Sequence, residues 1–162
     1  MSTSALETVR ALIVTELKTI DEGATYRNTI HEVYEKANAK VTQYPSVIFL
    51  FSPEMTMLPK DTNCTIFDMD VPFSITCAIT AYSDTTTASE LTAAQDSLVH
   101  DIFKLLSSLY QKYITSDPRW NLRVDKPIKV TPVIPFNAFG NNDWEFMITG
   151  FIHIRNLSSS FE

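Results

Sequence analysis

Apolar residues near the start of the chain recur every three or four positions, as on one side of an amphipathic helix. The positions are Leu6, Val9, Ile13, Leu17 and Ile20. Ser4 and Glu7 have the spacing of a capping box, and Gly23 follows the last apolar position. The pattern therefore predicts a helix over residues 6–20 that lies with one side against an apolar surface.

A second helical pattern, the longest in the chain, begins after Thr87 and Glu90, which form another capping box. Its apolar positions are Leu91, Ala94, Leu98, Ile102, Leu105, Leu109 and Tyr113. Asp117 and Pro118 end the pattern, because proline cannot continue a helix. We expect one helix of about 25 residues here.

Strand-like patterns occupy much of the remaining chain. Residues 47–51 are uninterruptedly apolar between two prolines, which predicts a central strand buried on both faces. Residues 65–70 and 71–82 alternate between apolar and polar side chains and predict two neighbouring antiparallel strands. The alternation is clearest over residues 144–155, which we interpret as the last strand of a closing hairpin.

The segments between these patterns are less regular. Residues 26–34 indicate a strand or an irregular extended segment, and residues 52–63 have no period and predict a long loop. Residues 122–133 form a proline-interrupted extended stretch, and residues 137–143 have the composition of a turn.

Strands grouped in hairpins, rather than alternating with helices, favour the α+β class. We therefore expect a single α+β domain over residues 1–162. Its core would be a largely antiparallel β-sheet, with an N-terminal helix and one long helix packed on one face.

The charge balance is acidic, because 19 Asp and Glu residues stand against 13 Lys and Arg residues, for a net charge of -6. Such a surface repels phosphate on average, which disfavours nucleic-acid binding. The longest apolar run is residues 47–51, and no basic segment leads into an apolar one at the N-terminus. We expect neither a membrane span nor a secretory signal, and a cytosolic protein.

No motif indicates a catalytic or cofactor site. Cys64 and Cys77 are too few for a metal cluster and are expected to be free buried thiols. The three glycines lie too far apart for a phosphate-binding loop, and no serine stands in a nucleophile elbow. We predict no enzyme activity, no catalytic residue, no cofactor and no metal ligand, although a triad could still assemble from distant positions.

A few polar residues allow a functional interpretation beside a structural one. Asp68 and Asp70 alternate onto one face of a strand, where they could bind a cation, act as an acid–base pair or form a solvated strand edge. His100 lies on the long helix among charged neighbours and is expected to be solvated. His31 and His153 are isolated, without metal-site spacing.

Apolar residues also occur in segments too irregular to be core strands. These are Met55, Met57 and Leu58 in the predicted long loop, and Phe136 and Phe139 near the predicted turn. Flexible thioethers and aromatic rings in such places are typical of a protein–protein contact surface. The alternative is that both segments fold back over the sheet and are buried.

Five features along the chain together carry a resemblance to a known family. They are the helix over residues 6–20, the tetrapeptide Tyr44-Pro45-Ser46-Val47, the strand over residues 73–82 with Ser83 and Asp84 after it, the Trp120 segment and the closing hairpin over residues 144–155. In order and spacing they resemble the tail terminator (tail completion) proteins of tailed bacteriophages. The resemblance spans almost the whole chain and rests on the arrangement of elements rather than on a sharp motif.

The resemblance implies a structural virion protein that forms a homohexameric ring at the head-proximal end of the tail tube. The ring would stop tube polymerisation, join the tail to neck or head-completion proteins, and contact the sheath protein if the tail is contractile. DNA would pass through the lumen without specific binding, and assembly would occur in the host cytoplasm. Met55, Met57, Leu58, Phe136 and Phe139 are the candidate contact residues. Another ring-forming neck or head-completion protein remains an alternative, and a small-molecule-binding domain or enzyme is a more distant one.

Overall fold

The computed structural model describes residues 5–37, 39–116, 120–122, 127–136 and 142–158. Within them the chain forms two helices and eight strands. In chain order these are α1 (Ala5–Leu17), β1 (Val33–Tyr34), β2 (Ser46–Phe51), β3 (Thr56–Pro59), β4 (Ile66–Ala81), α2 (Ala88–Ser116), β5 (Trp120–Leu122), β6 (Lys129–Val130), β7 (Ile134–Phe136) and β8 (Asp143–Ser158).

The helices begin and end for different reasons. α2 starts at the predicted capping box, where the Thr87 Oγ1 accepts the Glu90 N–H at 3.2 Å and the Glu90 carboxylate accepts the Thr87 N–H at 3.1 Å. α1 ends at Leu17, three residues earlier than predicted. Ile20 is nevertheless fully buried in the turn that follows, so the apolar pattern predicts burial here better than it predicts the helix end. Ser4 lies outside the described residues.

The strands form one sheet around the two longest, β4 and β8, which run antiparallel over nearly their whole length. On one side of this pair, β3 and β2 pair with successive parts of β4, and β1 joins β2 in parallel. On the other side, β5, β6 and β7 each pair antiparallel with β8. The sheet is therefore largely antiparallel, as predicted.

β4 is one strand of 16 residues, and the prediction of two separate strands was wrong. Pro72 lies near the middle of β4. The Pro72 carbonyl accepts the Ser52 N–H at 2.8 Å, so both the carbonyl and the nitrogen of Pro72 face the edge of β4 along which β2 and β3 lie. At this level β2 ends, with Phe51 opposite Phe73, and β3 has not yet begun, since its first residue Thr56 lies opposite Asp70. Because neither strand needs the N–H that proline lacks, Pro72 does not interrupt β4.

The predicted long loop over residues 52–63 contains β3, so that prediction was also wrong in part. The turn between β3 and β4 is stabilised by the Asp61 carboxylate, which accepts the backbone N–H groups of Thr65 and Ile66 at 2.7 and 3.1 Å. Cys64 adopts a φ of 52° within this turn. A four-residue strand that ends in proline is too short for its pattern to be seen in the sequence.

The other irregular segments contain short strands. Residues 26–34 contribute only β1, and the proline-interrupted stretch over residues 122–133 contains β6 and the last residue of β5. Most of the predicted turn over residues 137–143 lies outside the described residues.

Both helices cover the same face of the sheet, and their apolar sides form one buried cluster with it. The cluster includes Ile13, Leu17, Leu98, Ile102, Leu105, Phe49, Phe73, Ile75, Phe146 and Ile148. Each such side chain contributes about 1.5–3 kcal/mol when fully buried. The α+β fold class is therefore confirmed, with an N-terminal helix and one long helix on a mostly antiparallel sheet.

Asp101 on α2 holds the connection between α1 and β1. It is fully buried, and its Oδ2 accepts the backbone N–H groups of Arg27 and Asn28 at 2.9 and 2.8 Å, and the Asn28 side-chain amide at 2.8 Å. Burial by itself would raise the pKa of Asp101, but the hydrogen bonds from Asn28 and Arg27 outweigh it and hold the pKa below its usual value.

Candidate interaction surface

The two strands β3 and β4 form an antiparallel hairpin over residues 54–70, which we call the arm. Several apolar side chains on the arm are exposed, although Met69 packs into the core. Met57 is 44% exposed, Leu58 41% and Ile66 41%, and Met55 lies beside them at 36%. By strand alternation Met55 and Met57 lie on one face of the arm and Leu58 and Ile66 on the other, so both faces expose apolar side chains, which is typical of a protein contact surface.

The structure places the predicted contact residues differently from one another. Met55, Met57 and Leu58 are exposed, so the alternative that they fold back and become buried was wrong. The backbone of Phe136 lies in β7 and pairs with Asp143 of β8, but its side chain is not among those described. Phe139 lies outside the described residues. A contact role for all five residues stays a prediction.

A polar cluster lies on the face of the arm that also carries Leu58. Asp68 and Asp70 lie on one face of β4, as predicted, and β8 brings His153 between them. The His153 Nδ1 lies 2.7 Å from Asp70 Oδ1, and its Nε2 lies 3.3 Å from Asp68 Oδ2. The prediction that His153 is isolated was therefore wrong, because the register of β4 against β8 is not visible in the sequence.

The polar cluster links strands rather than forming a metal site. The two nitrogens of His153 face different carboxylates, and Lys60 Nζ lies 3.5 Å from Asp68 Oδ1. Within the described ranges, no group of three or more His, Cys, Asp or Glu side chains could hold a metal ion. The arrangement instead ties the arm to β8 by charge-assisted contacts.

The opposite edge of the sheet carries a second exposed apolar patch, which the sequence analysis missed. It comprises Ile128, Val130 and Ile134, of which Ile134 is the most exposed at 47%. These residues lie in or beside β6 and β7. Their alternation with Lys129 was the available signal, but the prolines in the same stretch hid it.

A pair of buried carboxyl groups lies near the start of β8. Asp143 and Glu145 share one face of the strand and are only 1% and 3% exposed. The Tyr44 hydroxyl donates to Asp143, while Asp143 Oδ2 and Glu145 Oε2 have no hydrogen-bond partner in the described part of the chain. Burial and then repulsion from Asp143 raise the pKa of Glu145 to about 7.

The remaining candidate residues are accounted for structurally. His100 is exposed, with Nδ1 3.6 Å from Asp101 Oδ1. Of the two free cysteines only Cys77 is buried, and burial raises the pKa of its thiol, whereas Cys64 is exposed, contrary to prediction. Neither described helix has the length and apolar character that crossing a membrane requires.

Comparison with protein-family models finds no match to this chain. Comparison with curated proteins finds no matching relative either.

Proposed function

We propose that this protein is a phage tail terminator subunit. In this role it forms a hexameric ring at the head-proximal end of the tail tube, stops tube polymerisation and joins the tail to neck or head-completion proteins. Its place is the virion, after assembly in the host cytoplasm.

The observation that carries the proposal is the exposed apolar arm. A closed ring uses head-to-tail contacts, in which each subunit presents two different surfaces. The arm supplies one such surface at one edge of the sheet. The patch around Ile128, Val130 and Ile134 supplies apolar area at the opposite edge.

The charge of the chain supports the same role. A net charge of -6 repels DNA phosphates on average. A ring of such subunits would let DNA pass through its lumen without holding it. The partners that follow are further copies of this chain, the tube protein, a neck or head-completion protein, and the sheath protein where the tail is contractile.

Electron microscopy tests this proposal with the purified protein alone and after mixing with the tail tube protein encoded in the same genome. Six-fold rings, or density that caps one end of length-arrested tubes, are expected. A chain that stays monomeric or dimeric and ignores tube ends would refute the role. Rings that bind a head-completion protein but never tube ends would favour a neck component instead.

A matched pair of variants locates the contact surface. Met57→Asp places a charge on the arm and should abolish rings and tube caps. Phe103→Asp makes the same kind of change at an exposed apolar residue of α2 and should leave assembly unchanged. Both positions are exposed, so neither change should cost much stability, which thermal unfolding checks. Wild-type assembly by Met57→Asp would show that the arm is not used.

A further inference from the structure

We infer that β3 of one subunit pairs edge to edge with β5 of the next, so that the sheet continues across the subunit boundary. The inference rests on the proposed ring and deepens it, since it names the two surfaces that meet.

The first support is the level at which the two strands lie. Met57 of β3 stands opposite Met69 of β4, which stands opposite Ile154 of β8, which stands opposite Trp120 of β5. The next row runs through Thr56, Asp70, His153 and Asn121. At these rows β3 and β5 are therefore the two opposite edges of one four-stranded portion of the sheet, and no described strand lies beyond either of them.

The second support is strand direction. Each step from β3 to β4, β8 and β5 is antiparallel, so β3 and β5 run in opposite directions. A neighbouring copy related by rotation about an axis along the strands presents its β3 in the same direction as the first. That strand is then antiparallel to β5, and the pattern continues without a parallel step. This continuous antiparallel pairing is possible because an even number of strands, β3, β4, β8 and β5, crosses each subunit at these rows.

The third support is the backbone chemistry of the edges. The Lys60 N–H donates to the Ile66 carbonyl at 2.9 Å, so by alternation the N–H and C=O of Met57 point away from β4, as does the carbonyl of Pro59, which has no N–H to offer. Such free groups are a template for another strand. On the opposite edge Pro127, Pro132 and Pro135 lie beside or in β6 and β7 and cannot donate, whereas β5 contains no proline.

Charge favours a second copy of this chain as the partner. Residues 54–70, which form the arm, contain four acidic residues and one lysine, so this segment is acidic like the chain as a whole. The sequence over residues 119–129, which includes β5, contains four basic residues and one acidic residue. The two sequence segments therefore carry opposite net charge, which favours a second copy of this chain as the partner.

Cysteine crosslinking tests the pairing in a Cys64→Ser background, which removes the exposed native thiol. Asn121→Cys is combined with Thr56→Cys or with Leu58→Cys. Thr56 and Leu58 lie on the same face of β3, so the two combinations test two registers of β5 against β3 of the neighbouring subunit. The matched control combines Asn121→Cys with Met57→Cys, on the other face of β3. Mild oxidation of assembled protein should give a ladder from dimer to hexamer for one of the first two pairs and lose it in the control. Each single-cysteine variant should stop at dimer at most.

The outcomes separate this inference from the ring itself. Rings that form under reducing conditions but give no ladder with either pair would overturn the strand pairing and leave the ring intact. A ladder of equal strength in the Met57→Cys control would show side-by-side packing and also overturn it. Absence of rings and of tube caps would overturn the ring and the pairing together.

Discussion

Glu145 gives the sharpest test of the energetics of the sheet. Its carboxyl group is buried beside Asp143, and its Oε2 has no hydrogen-bond partner among the described residues. The folded protein therefore prefers the protonated acid, whereas the unfolded chain ionises at the ordinary glutamate pKa. Glu145→Gln keeps the size and shape of the side chain and removes the ionisation.

The magnitude follows from the two pKa values of Glu145. The pKa is 4.5 ordinarily and about 7 in the folded protein. The interval of about 2.5 corresponds to about 3 kcal/mol of unfolding free energy, since one pKa unit is about 1.36 kcal/mol. Because the folded pKa is the higher, the cost is absent below pH 4.5, grows between pH 4.5 and 7, and stays constant above that.

Urea unfolding of wild type and Glu145→Gln across this pH range measures the effect. The stability difference between them should shift by about 3 kcal/mol in favour of the variant from pH 4.5 to pH 8. Contributions of titrating groups distant from Glu145 cancel in the difference, whereas that of Asp143, which lies beside it, is part of the measured effect. Glu54→Gln, at an exposed position, serves as the control and should follow wild type. Parallel pH profiles for wild type and Glu145→Gln would refute the reasoning.

Two other substitutions test the packing of the fold. Asp101→Asn should lower the unfolding free energy at pH 7 by about 2–3 kcal/mol, because the buried N–H donors lose an ionised acceptor. The loss should shrink as the pH falls below 3.8, since the lowered pKa of Asp101 stabilises wild type only above it; urea unfolding at pH 7 and pH 3 checks both statements, and equal losses would contradict the second. Gly150→Ala should cost about 1–3 kcal/mol, because the added Cβ would lie 2.9 Å from ring atoms of buried Phe73. Thermal unfolding measures this cost, and an unchanged midpoint would show that the Phe73 ring can move aside.

Helical segments were the most predictable part of the fold. The capping box at Thr87 and the long apolar period were enough to predict α2, because both signals are local in sequence. The continuity of β4 through Pro72 was not predictable. It depends on β2 ending and β3 beginning on either side of Pro72, which is a property of the assembled sheet.

The candidate surface likewise contains some residues that could be predicted from the sequence and others that could not. Met55, Met57 and Leu58 could be selected because they are apolar in a segment without a helical or core-strand pattern. The position of His153 between Asp68 and Asp70 could not be predicted, since it requires the register of two strands separated by α2. Asp101 had a signal that was overlooked: a charged residue stands within the apolar stripe of a helix.

The carboxylate of Asp101 also has a consequence for the order of folding events. Its hydrogen bonds to Arg27 and Asn28 join residues 74 and 73 positions apart in the chain. The connection after α1 has local hydrogen bonds of its own, such as that from the Glu22 N–H to Thr29 Oγ1, but the N–H groups of Arg27 and Asn28 gain their acceptor only when α2 docks. We expect the N-terminal segment to consolidate late, so that loss of the carboxylate speeds unfolding more than it slows refolding.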